Sequence, residues 1–588
     1  MFKLSFKSRI IILVVLGLLV YGNTLGNGFV WDDEEIILNN PQLHSLSYLP
    51  NLFAGSTFNS GGAGNLAGLY YKPFMMVSFA ALYTLFGPQP FVFHLFQLLL
   101  HIANSIIVFL LLKRFLKREN LAFFLSLIFL VHPINTETVV YSADLQDVLF
   151  FFFGGLALLV KDPLISGMLV LGSLLSKETG AIMALLAGLN FAWSEKKGWQ
   201  KFLAALAFSV LVYSFLRFGV AHIFFQKHGL TPISTMPFSG RLINIPAIIF
   251  FYLKTFLFPL NLSINQQWAV RTISLPDFWF PLIIDSIFIL LTITVMVWLW
   301  GTKSHWLKIY LFFFLWFFLA LGFHLQLFPL DLTVSDRWFY LPIVGLLGMG
   351  GVGLVKTAEV AHKNFSPSSE ATRNSSIFPD VFRVEAGLNF VRYPQFFTVL
   401  GVLVIFLLSL RTFCRTFDWR NGLTLYSHDI VYSRNAFDLE NNYGVELFRI
   451  GKLDEAAVHF EKSIGLSPRW WTSYNNLGAY YEHKGDLVKA EELYKKSIAN
   501  GQYYLAYENL AFVLLKEKKY AEDIAFLGKS LPLLPQNPRL VTALALAFYQ
   551  NGQKEKAVEA ARYLLRLSPT LQNQTFLDEL SAGTFSLK

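Results

Sequence analysis

PFVFHLFQLLLHIANSIIVFLLL, residues 90–112, holds no Asp, Glu, Lys or Arg, and Lys113, Arg114, Lys117 and Arg118 follow it at once. About 20 apolar residues at 1.5 Å rise cross a bilayer core, so this stretch reads as a membrane-spanning helix stopped by a basic flank. His94 and His101 lie seven residues apart and share one face of it. In lipid only helices and closed barrels satisfy every backbone polar group, and the alternating pattern of a barrel is absent here. The composition agrees: of 588 residues, 54% are hydrophobic and 15% charged, with 60 Phe, against about 25% charged in ordinary soluble domains. A purely soluble, disordered or fibrous chain is excluded.

Working outward, further apolar runs lie at 10–25, 121–138, 144–160, 164–177, 179–194, 202–224, 244–260, 281–300, 308–328, 338–355 and 395–413. The run at 244–260 carries Lys254 and follows Pro246, and reads as re-entrant or interfacial. About 11 spans remain, which puts the C-terminus outside. Lys3, Lys7, Arg9, Lys113, Arg114, Lys196, Lys197 and Lys201 mark the cytoplasmic side by the positive-inside rule. The first run reads as an uncleaved signal anchor. The loop 26–89 is then external, with an interfacial apolar stretch at 73–86, and the polar stretch 357–394 is a cytoplasmic loop. The net charge of +9 belongs to cytoplasmic loops and does not indicate nucleic acid. A single cysteine, Cys414, makes neither an internal disulfide nor a thiolate metal site.

Past residue 414 the composition turns polar and a period emerges. Gly444, Gly478, Ala511 and Ala545 are 34, 33 and 34 residues apart, and Ala456, Ala490, Ile524 and Ala557 follow them at near-constant distance. Pro468, Pro535 and Pro569 close units. This is the tetratricopeptide pattern, a helix–turn–helix whose small residues let paired helices approach. The fold expected is all-α: a polytopic membrane bundle over 1–414, a linker at 415–436, four repeats over 437–570 and a tail at 571–588.

The ionisable residues of the membrane part collect on one side, the external one. Asp32, Asp33, Glu34 and Glu35 follow the first run. They suit either a helix N-terminus or a base that takes a proton from an attacking hydroxyl. Lys72 ends the soluble part of the first loop. HPINTE supplies His132 and Glu137, followed by Asp144 and Asp147; Lys177 and Glu178 lie between two short runs; DRWFYLP supplies Asp336, Arg337 and Tyr340. Lys177 pairing with Glu178, and Arg337 with Asp336 or an acid of another loop, are the plain structural readings. Ionisable groups in such places usually face a cavity or one another. HExxH, Walker A, GxSxG and dinucleotide fingerprints are absent, and no metal is expected.

The order DD, YKP, HPINTE, SKE, DRWFYLP and then repeats resembles the transmembrane and tetratricopeptide-repeat-containing O-mannosyltransferases and their bacterial relatives, of the glycosyltransferase type C fold. The resemblance covers nearly the whole chain. It implies that Asp32 and Asp33 carry catalysis, with Asp32 the favoured base. Lys72, His132, Glu137, Asp147, Lys177, Glu178, Asp336, Arg337 and Tyr340 would bind the donor's phosphate or sugar. Two positions depart from the family pattern: Lys72 stands where Arg is commoner, and Leu145 where an Arg precedes Asp147. It further implies a polyprenyl-phosphate hexose as donor, with no cofactor, an external acceptor hydroxyl on a protein, and a single inverting displacement. The repeats would hold the acceptor polypeptide or a partner protein. A bacterial inner membrane with external repeats is the expected setting, and the C-terminal FSLK lacks an organelle-retention signal. Two other readings stand beside this one: a non-enzymatic membrane scaffold displaying repeats, and a lipid or solute transporter.

Overall fold

The computed structural model describes residues 4–57, 70–194, 198–224, 230–364, 394–433, 435–501 and 503–586. These residues are helical, apart from turns and one isolated β-bridge between Gln266 and Val334. They form two compact units. The first holds residues 1–30, 71–220 and 227–433, and the second holds 31–70, 221–226 and 434–588.

The first unit is a helix bundle. Among the described residues eight helices are long and apolar enough to cross a membrane: Phe6–Gly26, Pro90–Leu116, Ser142–Leu159, Trp199–Val220, Phe238–Leu257, Leu275–Gly301, Pro342–Val360 and Thr398–Asp418. A ninth candidate is the pair Glu119–Val131 and Pro133–Val140, bent by 49°. Pro133 cannot donate to the preceding turn, so the helix breaks there. Four shorter apolar helices complete the set: Pro73–Phe86, Pro163–Ser176, Gly180–Trp193 and Trp306–Gly322. Each run anticipated as a span is therefore helical, that at 121–138 being broken at Pro133, while a count of eleven crossings does not follow from length and composition. The run expected to be re-entrant or interfacial forms one continuous helix, Phe238–Leu257, with Pro246 inside it, which fits the second of these and not the first. Of the cytoplasmic loop expected at 357–394, residues 365–393 lie outside the described residues, and 357–364 extend the helix from Pro342.

Small residues and side-chain hydroxyls hold the bundle together, as expected where lipid gives no hydrophobic drive between helices. A Cβ on Gly155 would meet Ile107 at 2.7 Å. Ser173 Oγ donates to the Phe150 carbonyl and Ser209 Oγ to that of Gly167, each at 2.8 Å. Ile283, Ile287, Leu290 and Leu291 are more than half exposed on the helix Phe280–Gly301, an apolar face suited to lipid.

The expected linker at 415–436 is largely structured instead. Helix Pro394–Asp418 runs through its start, and helix Gly422–Tyr432 packs back onto it. Arg415 donates to both oxygens of Asp429 at 2.7 and 2.9 Å, and Ile264 N–H donates to the same carboxylate at 2.7 Å. This buried bidentate pair fastens 415–433 to the first unit.

In the second unit the repeats are four hairpins: Phe437–Arg449 with Leu453–Leu466, Trp471–His483 with Leu487–Asn500, Tyr504–Lys516 with Tyr520–Ser530, and Pro538–Gln550 with Lys554–Leu567. The small positions mark close approach, since a Cβ on Gly478 would lie 2.8 Å from the Tyr494 ring. Three of the hairpin turns use glycine with positive φ, at Gly451, Gly485 and Gly552; in the third, Lys518 takes the same conformation (φ 60°). The expected tail folds as helix Leu571–Ala582, whose Leu580 packs with Ala545, Ala560 and Ala561 to close the stack. Residues 31–57 and 70 also belong to this unit, although the sequence placed them in a loop of the membrane part.

Asp523 is fully buried between repeat helices and neither carboxylate oxygen has a hydrogen-bond partner. Burial pushes its carboxyl up from 3.8 to about 8. The folded protein keeps this proton to about pH 8, whereas the unfolded chain releases it near 3.8. Stability is therefore lost as pH rises between those values and is lowest above them. Asp523→Asn should raise the unfolding temperature at pH 9, and by less at pH 5, where only the first part of that loss has accrued. Thermal unfolding of the full protein at both pH values measures this.

Candidate functional site

The polar residues of the first unit meet where two broken helices turn. In HPINTE, Ile134 N–H donates to His132 Nδ1 at 3.2 Å, and Asn135 Nδ2 donates to the Phe129 carbonyl at 2.8 Å. Gln97, from the opening stretch, donates to the carbonyls of Thr138 and Tyr141 at 2.6 and 2.8 Å. These bonds pin a tight, buried turn, and Glu137 projects from it. Across from it, the short 3-10 helix Asp336–Phe339 directs alternate residues of DRWFYLP to different neighbours.

Arg337 pairs with Glu137 through its Nη1, and its own backbone N–H donates to Glu137 at 3.0 Å. Ser335 Oγ donates to the same carboxylate at 3.1 Å. Arg337 Nε lies 3.7 Å from Asp144. Asp144 also accepts from Gln146 at 3.1 Å, and its Oδ2 has no hydrogen-bond partner. Asp144 and Asp147 interact directly, one helical turn apart. Lys177 Nζ donates to both oxygens of Asp147 at 2.6 Å. The result is one continuous row: Glu137, Arg337, Asp144, Asp147, Lys177. Lys72 is near enough to feel the charges of Glu178, Lys177, Asp144 and Asp147, and burial pushes its ammonium below the ordinary lysine value. Burial also opposes the charge of Arg337, but Glu137 and Asp144 more than offset it, so its guanidinium is held above the usual value.

Accessibility within the row is uneven. The carboxylate side chains of Glu137, Asp144 and Asp147 are 0–4% exposed, whereas Arg337 and Lys177 are each 13% exposed. The cations are thus the more accessible members of the row, and the carboxylates behind them hold them in place. The helix Leu145–Leu159 also starts here, so its positive dipole end adds to this face. Its other end is marked by Arg114, which donates to the Leu158 carbonyl at 2.9 Å. Arg9 and Lys113 lie with Glu119 at 2.8 and 3.0 Å. Fifteen residues, about 22 Å of helix, separate the row from the Arg114 contact.

The remaining expected residues lie elsewhere. Glu178 does not pair with Lys177; it accepts from Arg217 at 2.7 Å, because the turn at 177–180 points the neighbours apart. Asp336 does not pair with Arg337. It is buried with Oδ1 unpartnered, and burial first, then the Glu137 charge, raises its carboxyl well above the ordinary range. Tyr340 is a buried anchor, its hydroxyl bonded to His101 Nδ1 at 2.9 Å and to Asn104 Nδ2 at 3.1 Å. The His132 ring stacks on Phe256 and its Nε2 is 2.9 Å from that residue's carbonyl, so it serves the turn. Asp32 and Asp33 belong to the second unit. They open a helical turn that continues as Glu34–Leu38, and Asp33 is fully buried.

His324 was not anticipated. It stacks on Trp338 at 4.8 Å and is near enough to feel the charges of Lys177, Asp147 and Arg337. Its only trace in the sequence is a histidine closing the apolar run at 308–328. Among the described residues no group of three or more His, Cys, Asp or Glu is placed to hold a metal ion.

A tetratricopeptide-repeat family model matches residues 444–505. A protein O-mannosyl-transferase of Caenorhabditis elegans is 23% identical over 492 residues, covering 79% of this chain and 63% of the relative. The human protein O-mannosyl-transferase TMTC3 is 23% identical over 562 residues, covering 86% of this chain and 55% of that protein. The human protein O-mannosyl-transferase TMTC1 is 34% identical over 133 residues, 22% of this chain and 15% of that one. The chain thus matches only about 55–63% of the length of the first two relatives. Among solved structures, the tetratricopeptide protein YrrB, described as having an unusual peptide-binding site, is similar at 15% identity and TM-score 0.24, over 27% of this chain and 84% of that one.

Proposed function

This chain is related along most of its length to the transmembrane and tetratricopeptide-repeat-containing O-mannosyltransferases, and from that kinship we infer that it is a multi-pass membrane glycosyltransferase acting on proteins. The donor is a polyprenyl-phosphate hexose. The observation that carries the reading is the cationic face of Arg337 and Lys177, each 13% exposed, over more deeply buried carboxylates.

The reaction consistent with this site is a single displacement. The acceptor hydroxyl oxygen bonds to the anomeric carbon as the bond from that carbon to the phosphate oxygen breaks. The hydroxyl proton passes to a carboxylate, assigned by the resemblance to Asp32 or Asp33. The phosphodiester becomes a phosphomonoester and gains a negative charge as it leaves. A preorganised cationic face acts on such developing charge and so lowers the barrier. Guanidinium suits a phosphate geometrically, and Lys177 and Lys72 add point charge. Configuration at the anomeric carbon inverts.

The positive-inside rule supports an external position for this site, since Arg9, Lys113 and Arg114 gather at the opposite end of the bundle. The repeats are read as the holder of the polypeptide acceptor or of a partner protein. The setting proposed is a bacterial inner membrane.

Purified protein in nanodiscs should move labelled hexose from a short polyprenyl-phosphate donor to a Ser/Thr-rich peptide, with inversion, and should not use a nucleotide-sugar. Transfer from the nucleotide-sugar, or no transfer from mannosyl and glucosyl lipid donors, would overturn the reading.

A further inference from the structure

Within the second unit the acidic segment does not stand as a free loop. Glu34 accepts from Arg449 through both oxygens, from Nη1 at 2.9 Å and Nη2 at 2.6 Å. Arg449 Nη1 also donates to Glu446 at 2.9 Å. Glu35 accepts from the Tyr504 hydroxyl at 3.3 Å and from Asn39 Nδ2 at 3.0 Å. Ile36 and Ile37 are buried immediately behind them. Arg449 ends the first helix of the first hairpin and Tyr504 begins the first helix of the third. Two adjacent glutamates therefore tie the segment to two non-adjacent repeats. At its start, Trp31 has φ 55°, a left-handed backbone that a bulky aromatic residue adopts only when its surroundings enforce it.

We propose that Arg449 and Tyr504 are positioning residues, through which the repeat unit sets the presentation of Asp32 and Asp33. The energetics favour this over a stabilising role. Arg449 and Glu34 are 48% and 35% exposed, and exposed ion pairs contribute about 0–1 kcal/mol. A bidentate guanidinium–carboxylate fork, by contrast, fixes direction as well as distance. Asp32 and Asp33 directly precede Glu34, so whatever orients Glu34 orients them. Because the anchors lie on the first and third hairpins, a polypeptide that alters the winding of the solenoid also alters the carboxylates. The repeats then act on the chemistry itself, beyond collecting acceptor.

This rests on the proposed glycosyltransferase reading, and the test separates the two. The full-length protein, Arg449→Ala, Arg449→Lys, Tyr504→Phe, Glu34→Gln and the double variant Glu34→Gln/Arg449→Ala are compared in nanodiscs. Hydrogen exchange of residues 31–38 is followed, with transfer from a polyprenyl-phosphate hexose to a Ser/Thr peptide. In Arg449→Ala, exchange should quicken about three- to fivefold, in line with the worth of an exposed ion pair. Its kcat should fall about 10–100-fold, as expected for a misplaced catalytic group, with donor KM within about twofold, because the proposal gives Arg449 the acidic segment and not the donor. Arg449→Lys should recover part of the loss, and the double variant should be no worse than either single one. Unchanged exchange in Arg449→Ala and Tyr504→Phe overturns the proposal, as does unchanged kcat in an active protein. If the wild type transfers no sugar, the enzyme reading fails, while exchange still decides whether the repeats hold the segment.

Discussion

Replacing the paired aspartates should nearly abolish sugar transfer, by about 10²–10⁴-fold in kcat for whichever of Asp32→Asn and Asp33→Asn removes the base. Asparagine keeps size and much of the hydrogen bonding but takes no proton, so donor KM should change little. Asp33 is fully buried and sits at the entrance to the turn that continues as Glu34–Leu38. Its loss should also loosen that turn, whereas loss of Asp32, which is more accessible, should affect rate alone. Steady-state transfer together with hydrogen exchange of 31–38 distinguishes base from support. Full activity in both variants would remove these residues from the mechanism.

The second large effect concerns Arg337. Arg337→Gln leaves Glu137 and Asp144 buried without their cation, and breaking a buried pair in this way costs about 3–5 kcal/mol. The double variant Arg337→Gln/Glu137→Gln should regain most of that stability, because the remaining amides can hydrogen-bond without charge. It should not regain transfer, because the leaving phosphate has still lost its guanidinium. Arg337→Lys should fold and turn over at a reduced rate, since an ammonium cannot fork onto a phosphate. Thermal unfolding measured beside kcat separates the two roles. Recovery of both in the double variant would make Arg337 purely structural.

The helices were legible because an apolar run is a local signal. The repeats were legible because a period needs no partner to be recognised. Pairing was not. Glu137 and Arg337 are 200 residues apart, and no local pattern says that Arg337 turns from its neighbour Asp336 towards HPINTE. The 3-10 turn decides it, by sending Asp336, Arg337 and Trp338 in different directions. Lys177 and Glu178 were separated by the same kind of local geometry. Residue types thus identified Glu137, Asp147, Lys177 and Arg337 as one group, while Tyr340 and His132 turned out to be taken up by packing. His324 was hidden because a single histidine at the end of a span has no pattern of its own. The acidic segment's place with the repeats was equally hidden, since its contacts with Arg449 and Tyr504 span more than 400 residues.

The most direct test is electron cryomicroscopy of the protein in nanodiscs with a polyprenyl phosphate, the carrier left after transfer. Density for the phosphate within about 2.7–3.2 Å of Arg337 or Lys177 is the predicted result. A headgroup seated instead at the Arg9, Lys113 and Arg114 end of the bundle would contradict it.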